Sequence, residues 1–270
     1  MTGGLVTATD PPQLPGAGIR FEKIEKRYGG LFALRRVSLE VAAGECVALA
    51  GRNGSGKTTL LRIAAGLVRP SSGAVQFTAN GQASREGKPQ TGFVAHATMV
   101  YDELTAEENL MLFARLQGIM SPDKLVEQLL REVGLLERRG SLVRTFSRGM
   151  RQRVAIARTL ALRPNIILMD EPFGALDPFT RFNMQDQLVA LWREREETVF
   201  FVTHSVEEAV YLGDRVYVLS PGPGTLVREI PLPGPEKPAR EMQREKAFTE
   251  TVFEIRDIIE KLEASKPAGT

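Results

Sequence analysis

One stretch, Gly51-Arg52-Asn53-Gly54-Ser55-Gly56-Lys57-Thr58-Thr59, constrains this chain more than any other. It follows the apolar, β-compatible run Cys46-Val47-Ala48-Leu49-Ala50. It precedes residues 58–65, whose apolar spacing is that of a short helix with its exit marked by Gly66 and Pro70. Glycines in such a turn let the backbone aim its amides at phosphate oxygens. The start of the following helix adds a favourable local field, and Lys57 adds a mobile positive charge. The spacing therefore predicts nucleoside-phosphate binding by Asn53, Gly54, Ser55, Gly56, Lys57, Thr58 and Thr59, with the Thr58 hydroxyl free to reach magnesium. A glycine-rich turn followed by an exposed lysine would leave the full spacing and both flanking elements unexplained. The loop alone does not separate transporter ATPases from GTPases, kinases or helicases.

A second mark is Ile166-Ile167-Leu168-Met169-Asp170-Glu171, an apolar strand ending in two acids. Asp170 at that position can order magnesium-bound water, while Glu171 can orient attacking water or accept its proton. Strand signals recur at 198–202 and 216–219, separated by stretches long enough for helices, which predicts parallel α/β crossovers. Weaker strand patterns lie at 21–26, 37–41, 74–78 and 92–95, and 225–230 suits an edge strand. The middle reads as helical. Thr105-Ala106-Glu107-Glu108 forms a capping box opening a helix to about Leu116. Ser121-Pro122 reads as the cap and first-turn pair of a second helix with Leu125, Leu129, Leu130 and Val133 on its apolar face.

Composition narrows the class. The apolar share is 43%, and 25 glycines plus 16 prolines are ordinary for 270 residues, which argues against a collagen-like or wholly disordered chain. No apolar run approaches the roughly 18 residues of a spanning helix, and no basic segment leads into an apolar signal core, so a cytoplasmic location is expected. A net charge of +2 gives bulk electrostatics no pull toward nucleic acid, and none is expected as a partner. Cys46 is the sole cysteine; it excludes an internal disulfide and reads as a core thiol.

With Phe146-Ser147-Arg148-Gly149-Met150 standing between the phosphate loop and Asp170-Glu171, the chain resembles an ABC-transporter ATPase over roughly residues 21–230. The resemblance implies an α/β fold, a P-loop NTPase core of the ABC ATPase type with an antiparallel β subdomain and an inserted α-helical subdomain. The implied division is a flexible lead-in at 1–18, the ATPase domain at 19–230 with helices within about 97–162, and a proline-rich linker and amphipathic helix at 231–270. Phe248, Val252, Ile255, Ile258, Ile259 and Leu262 form that helix's apolar stripe, to dock on its own domain or on another chain.

The resemblance also assigns residues. Ser147 and Gly149 would face the ATP of a second subunit, Ser147 as a helix cap and Gly149 by close backbone approach. Phe146, Arg148 and Met150 depart from the commonest Leu-Ser-Gly-Gly-Gln form. Asp177 resembles the aspartate of the dimer-contact loop, His204 the histidine that senses the terminal phosphate, and Tyr28 the aromatic platform that stacks on adenine. His96 stands where a magnesium- and interface-coupling glutamine is usual.

These likenesses imply ATP and Mg2+ as cofactors, catalytic roles for Glu171 and His204, and a homodimer sandwiching two nucleotides. Two transmembrane permease subunits, and for an importer an external substrate-binding protein, would complete the assembly at the cytoplasmic face of the membrane. Residues 170–177, 202–204 and 219–224 resemble nitrate, sulfonate and taurine importer ATPases. His96, 101–105 and 146–153 are similar to haem-exporter or polymer-exporter ATPases. Import of a small anion is the expectation and export the alternative; a nonmembrane ABC ATPase is less consistent with one motif set and 90 residues between Lys57 and Ser147.

Overall fold

The computed structural model describes residues 17–79, 82–83, 89–174 and 176–264. Two sheets carry the fold. Long strands β1 (Ala17–Tyr28) and β2 (Leu31–Val41) form an antiparallel sheet with β4 (Ser72–Ala79) and β5 (Gln82–Ala83), in the order β2-β1-β4-β5. The second sheet contains β3 (Cys46–Ala50), β6 (Thr91–Val94), β7 (Ile166–Asp170), β8 (Thr198–Val202), β9 (Arg215–Leu219) and β10 (Leu226–Pro231). Its order is β10-β9-β3-β8-β7-β6, parallel except for the antiparallel edge strand β10.

The parallel strands are buried on both faces, so their apolar runs are continuous. In β3, Cys46, Ala48 and Ala50 face one core while Val47 and Leu49 face the other; β7 and β8 divide in the same way. The second core lies between the sheets and is filled by helix α1 (Lys57–Ala64) through Leu60, Leu61, Ile63 and Ala64. Burial pushes the Cys46 thiol well up, in keeping with a packing role.

Against the first face pack α2 (Ala106–Leu116), α3 (Asp123–Glu132), α4 (Arg148–Leu160), α5 (Pro178–Glu194) and α6 (Val206–Leu212). The capping box of α2 is formed: Thr105 Oγ1 accepts from Glu108 N, and Thr105 N donates to Glu108 Oε2 at 2.8 Å. The cap expected at Ser121 is not formed. Pro122 occupies the N-cap of α3 with no side-chain bond, and the helix opens one residue later with Asp123, whose charge suits that end.

Leu232 N donates to Asp214 O, and Arg193 donates to Pro235 O, so the proline-rich stretch is pinned along the domain. A short α7 (Ala239–Met242) leads to α8 (Lys246–Ala264), which docks on its own chain against α6 and buries Phe248, Val252 and Ile255. Most of the lead-in, residues 1–16, lies outside the described residues. Among those described, no helix is long and apolar enough to cross a membrane.

Candidate active site

The phosphate loop sits between the end of β3 and α1, at the carboxyl edge of the parallel strands. Gly56, the N-cap of α1, has φ 89°, and a Cβ there would come within 2.6 Å of Leu34 Cδ2 and 2.7 Å of Ala33 O. Only glycine meets both demands. Asn53 and Gly54 are exposed at the tip, whereas Ser55 is buried and its hydroxyl oxygen has no hydrogen-bond partner among the described residues. Lys57 turns back on the loop and donates to Gly51 O and Arg52 O, both at 2.7 Å. Burial lowers its pKa, while Glu171 and Asp170 oppose that shift.

Across the loop, Thr58 Oγ1 donates to Asp170 Oδ1 at 3.0 Å, which joins α1 to the end of β7. Burial is the main cause raising the Asp170 carboxyl; the Thr58 bond works the other way and Glu171 adds to the rise. A buried hydroxyl without a partner, a hydroxyl already beside a carboxylate, and a lysine bonded to loop carbonyls fit a magnesium-nucleotide group. These are hard oxygen ligands for the cation and donors for phosphate.

Glu171 follows directly, with φ 52°, a left-handed conformation that costs a non-glycine residue about 1–2 kcal/mol. Both histidines of the chain face its carboxylate: His204 Nδ1 lies 3.4 Å from Oε1 and His96 Nδ1 lies 3.4 Å from Oε2. His96 thus meets Glu171, rather than being bonded to the Thr58–Asp170 pair.

The remaining expected residues stand around this group. Tyr28 ends β1 and is 53% exposed, with Lys26 Nζ lying over its ring 5.0 Å from the centroid. Ser147 caps α4, accepting from Met150 N at 3.2 Å. A Cβ on Gly149 would approach Leu176 Cδ2 to 2.8 Å, so the first turn of α4 is pressed against the loop before α5. Asp177 caps α5 by accepting from Thr180 N, and hydrogen bonding at Thr180 holds its carboxyl below the usual range.

Three features escape sequence reasoning. Arg148, legible only as a departure, places Nη2 3.3 Å from His96 Nε2. Asn109 is buried and pegs the segment before α2, donating to Tyr101 O and Thr105 O at 2.9 Å. The far end of α8 reaches the phosphate loop: Arg52 pairs with Glu263 at 2.5 Å, and a cavity of about 390 Å³ is lined by Arg52, Asn53, His204, Arg256, Ile259 and Glu263. A larger open groove of about 1080 Å³ is lined by residues of β1, β2, β4, β9 and β10 and walled by paired charges such as Arg20–Glu40 and Arg215–Glu229; it contains none of the expected site residues.

A family model described as ABC transporter matches residues 34–174. A taurine import ATP-binding protein of Jannaschia sp. (strain CCS1) is 37% identical over 257 residues, 91% of this chain and 95% of that protein. The chain belongs to the ABC transporter ATPase family. A nitrate import ATP-binding protein of Synechocystis sp. (strain PCC 6803) is 38% identical to this ABC ATPase, covering 86% of this chain and 90% of the relative. The dimeric, post-hydrolysis structure of the ATP-binding cassette MJ0796 bound to ADP and Pi superposes with a TM-score of 0.69 at 31% identity, over 80% of this chain and 99% of that one. The α/β P-loop fold and the transport-coupled ATPase activity expected from the motifs are those of this family.

Proposed function

We propose that this ABC ATPase powers import of a small anion such as nitrate, a sulfonate or taurine. It would do so as a homodimer on the cytoplasmic face of a membrane, bound to two permease subunits and served by an external substrate-binding protein. The import-named relatives support this reading because they align over 91% and 86% of the chain.

In the proposed mechanism, Tyr28 stacks on adenine, and the amides of 53–59 with Lys57 hold the phosphates. Thr58 and Asp170 would hold a magnesium ion, which when bound would neutralise charge on the phosphate oxygens. Glu171 orients water and accepts its proton, and His204 steadies Glu171 while bonding the terminal phosphate. Ser147 and Gly149 contact the nucleotide bound by the second copy, and Asp177 contributes to the same interface. ATP then bridges the copies, and hydrolysis weakens the bridge.

The observation that carries this reading is the Glu171 carboxylate beside His204 Nδ1, one residue from the Thr58–Asp170 bond. Steady-state phosphate release by Glu171→Gln tests it. Loss of turnover with nucleotide binding retained is expected; unchanged release removes Glu171 from the role. Co-purification of an importer permease with a binding protein supports import, and a haem-handling or polymer-export membrane pair reverses the direction.

A further inference from the structure

The two motif positions that depart most in character, His96 and Arg148, touch each other. Arg148 is the first residue of α4, between Ser147 and Gly149, and its Nη2 stands 3.3 Å from His96 Nε2. His96 turns its other nitrogen, Nδ1, toward Glu171 Oε2 at 3.4 Å. The polarity is consistent along the line. Guanidinium has only donors, so Nε2 accepts and the ring proton sits on Nδ1, beside the carboxylate.

Two further arginines hold the same stretch of chain. Arg151 donates to Asp102 at 3.4 Å, and Arg158 donates to Met99 O at 2.5 Å and Thr98 O at 3.3 Å. Positions 148, 151 and 158 share one face of α4 at helical spacing, so the helix grips the segment 96–102 at three points. A displacement of the α4 N-terminus therefore moves the His96 ring against Glu171.

We propose that Arg148 is a positioning residue that acts through His96, making the orientation of Glu171 in one subunit depend on whether Ser147 and Gly149 of that same subunit have engaged the nucleotide of the other. Glycine at position 148 has no atoms to make this contact, and the inference rests on the Glu171 assignment above. Each site then fires efficiently only when its own α4 is seated across the dimer, which links the two hydrolysis events.

The test measures phosphate release against MgATP concentration for the full chain and for Arg148→Gly, Arg148→Met, His96→Ala and the double variant His96→Ala/Arg148→Gly. Arg148→Met keeps the stem and the helix start, so it reads the lost donor alone. Each single variant is expected to lower kcat about tenfold, with KM and nucleotide affinity within about twofold, since misorientation of a reacting group acts on the chemical step. The Hill coefficient falls toward unity, and the double variant falls no further than His96→Ala because the residues act in series. Turnover of a nucleotide-binding Arg148→Met within about twofold of native, or a double variant whose loss is the product of the single losses, overturns the inference. Glu171→Gln separates the two readings: its full activity defeats the Glu171 assignment, whereas its inactivity beside an active Arg148→Met defeats only the relay.

Discussion

Thr58 Oγ1 lies 3.0 Å from Asp170 Oδ1, so the first turn of the helix after the phosphate loop is fastened to the last residue of strand β7, next to Glu171. The pair sets two hard oxygens side by side, the donor type that the proposed magnesium would take. Asp170→Asn removes the charge while keeping a bond to Thr58, and phosphate release is expected to fall by at least about a hundredfold, as several kcal/mol of charge stabilisation are lost. Titration with a fluorescent ATP analogue checks the cause. Native protein should bind more tightly with magnesium than with EDTA, and the variant should show no such difference.

Lys57 has its ammonium on two loop carbonyls, Gly51 O and Arg52 O, in a partly buried setting that lowers its pKa. Glu171 and Asp170 nearby favour its charge, and nucleotide phosphates would do the same. Lys57→Ala should weaken ATP binding about 10- to 100-fold, the range of one or two charge-assisted hydrogen bonds. Equilibrium dialysis decides it; affinity within about twofold of native would place the lysine outside phosphate recognition.

Legibility follows the range of the interactions. Strand β3 is read to the residue because a doubly buried strand is a local apolar run bounded by Glu45 and a glycine turn. The phosphate loop, Asp170 and Glu171 are read because each lies within a few residues of a strand end. The start of α3 is misread because Ser121-Pro122 offers a plausible cap, yet the side-chain bond is not made and Asp123 opens the helix. The His96–Arg148 contact joins residues 52 positions apart, through a loop and a helix whose relative placement is a property of the packed domain. The sequence shows each as a departure; nothing local shows that they meet.

The terminal helix offers a comparison between adjacent residues. Ile255 is fully buried in the core it shares with α6, whereas Arg256 pairs at the surface with Glu207. Ile255→Ala should cost about 2–4 kcal/mol, the transfer and cavity terms together. Arg256→Ala should cost less than about 1 kcal/mol, because an exposed ion pair gains little over its hydration. Urea denaturation of both variants measures the difference; equal losses would mean that ion pairs rather than the apolar stripe hold α8 in place.

Glu197 precedes β8 and is buried, with Oε2 lacking a hydrogen-bond partner among the described residues; Arg195 lies 3.9 Å from its other oxygen. Burial raises its pKa to about 7, with Arg195 opposing and Glu132 adding to the rise. The folded value thus exceeds the ordinary 4.5, so folding favours the protonated acid. Its contribution to stability is full below about pH 4.5 and is lost as pH climbs through about 7, where a charge must be held in the core. Glu197→Gln keeps the shape and removes the titration. The variant should be more stable than native by about 1–3 kcal/mol at pH 8 and should lack this decline between about pH 5 and 8. Denaturant midpoints taken across that range provide the measurement, and a native-minus-variant difference that stays constant with pH would show that Glu197 remains ionised in the folded chain throughout.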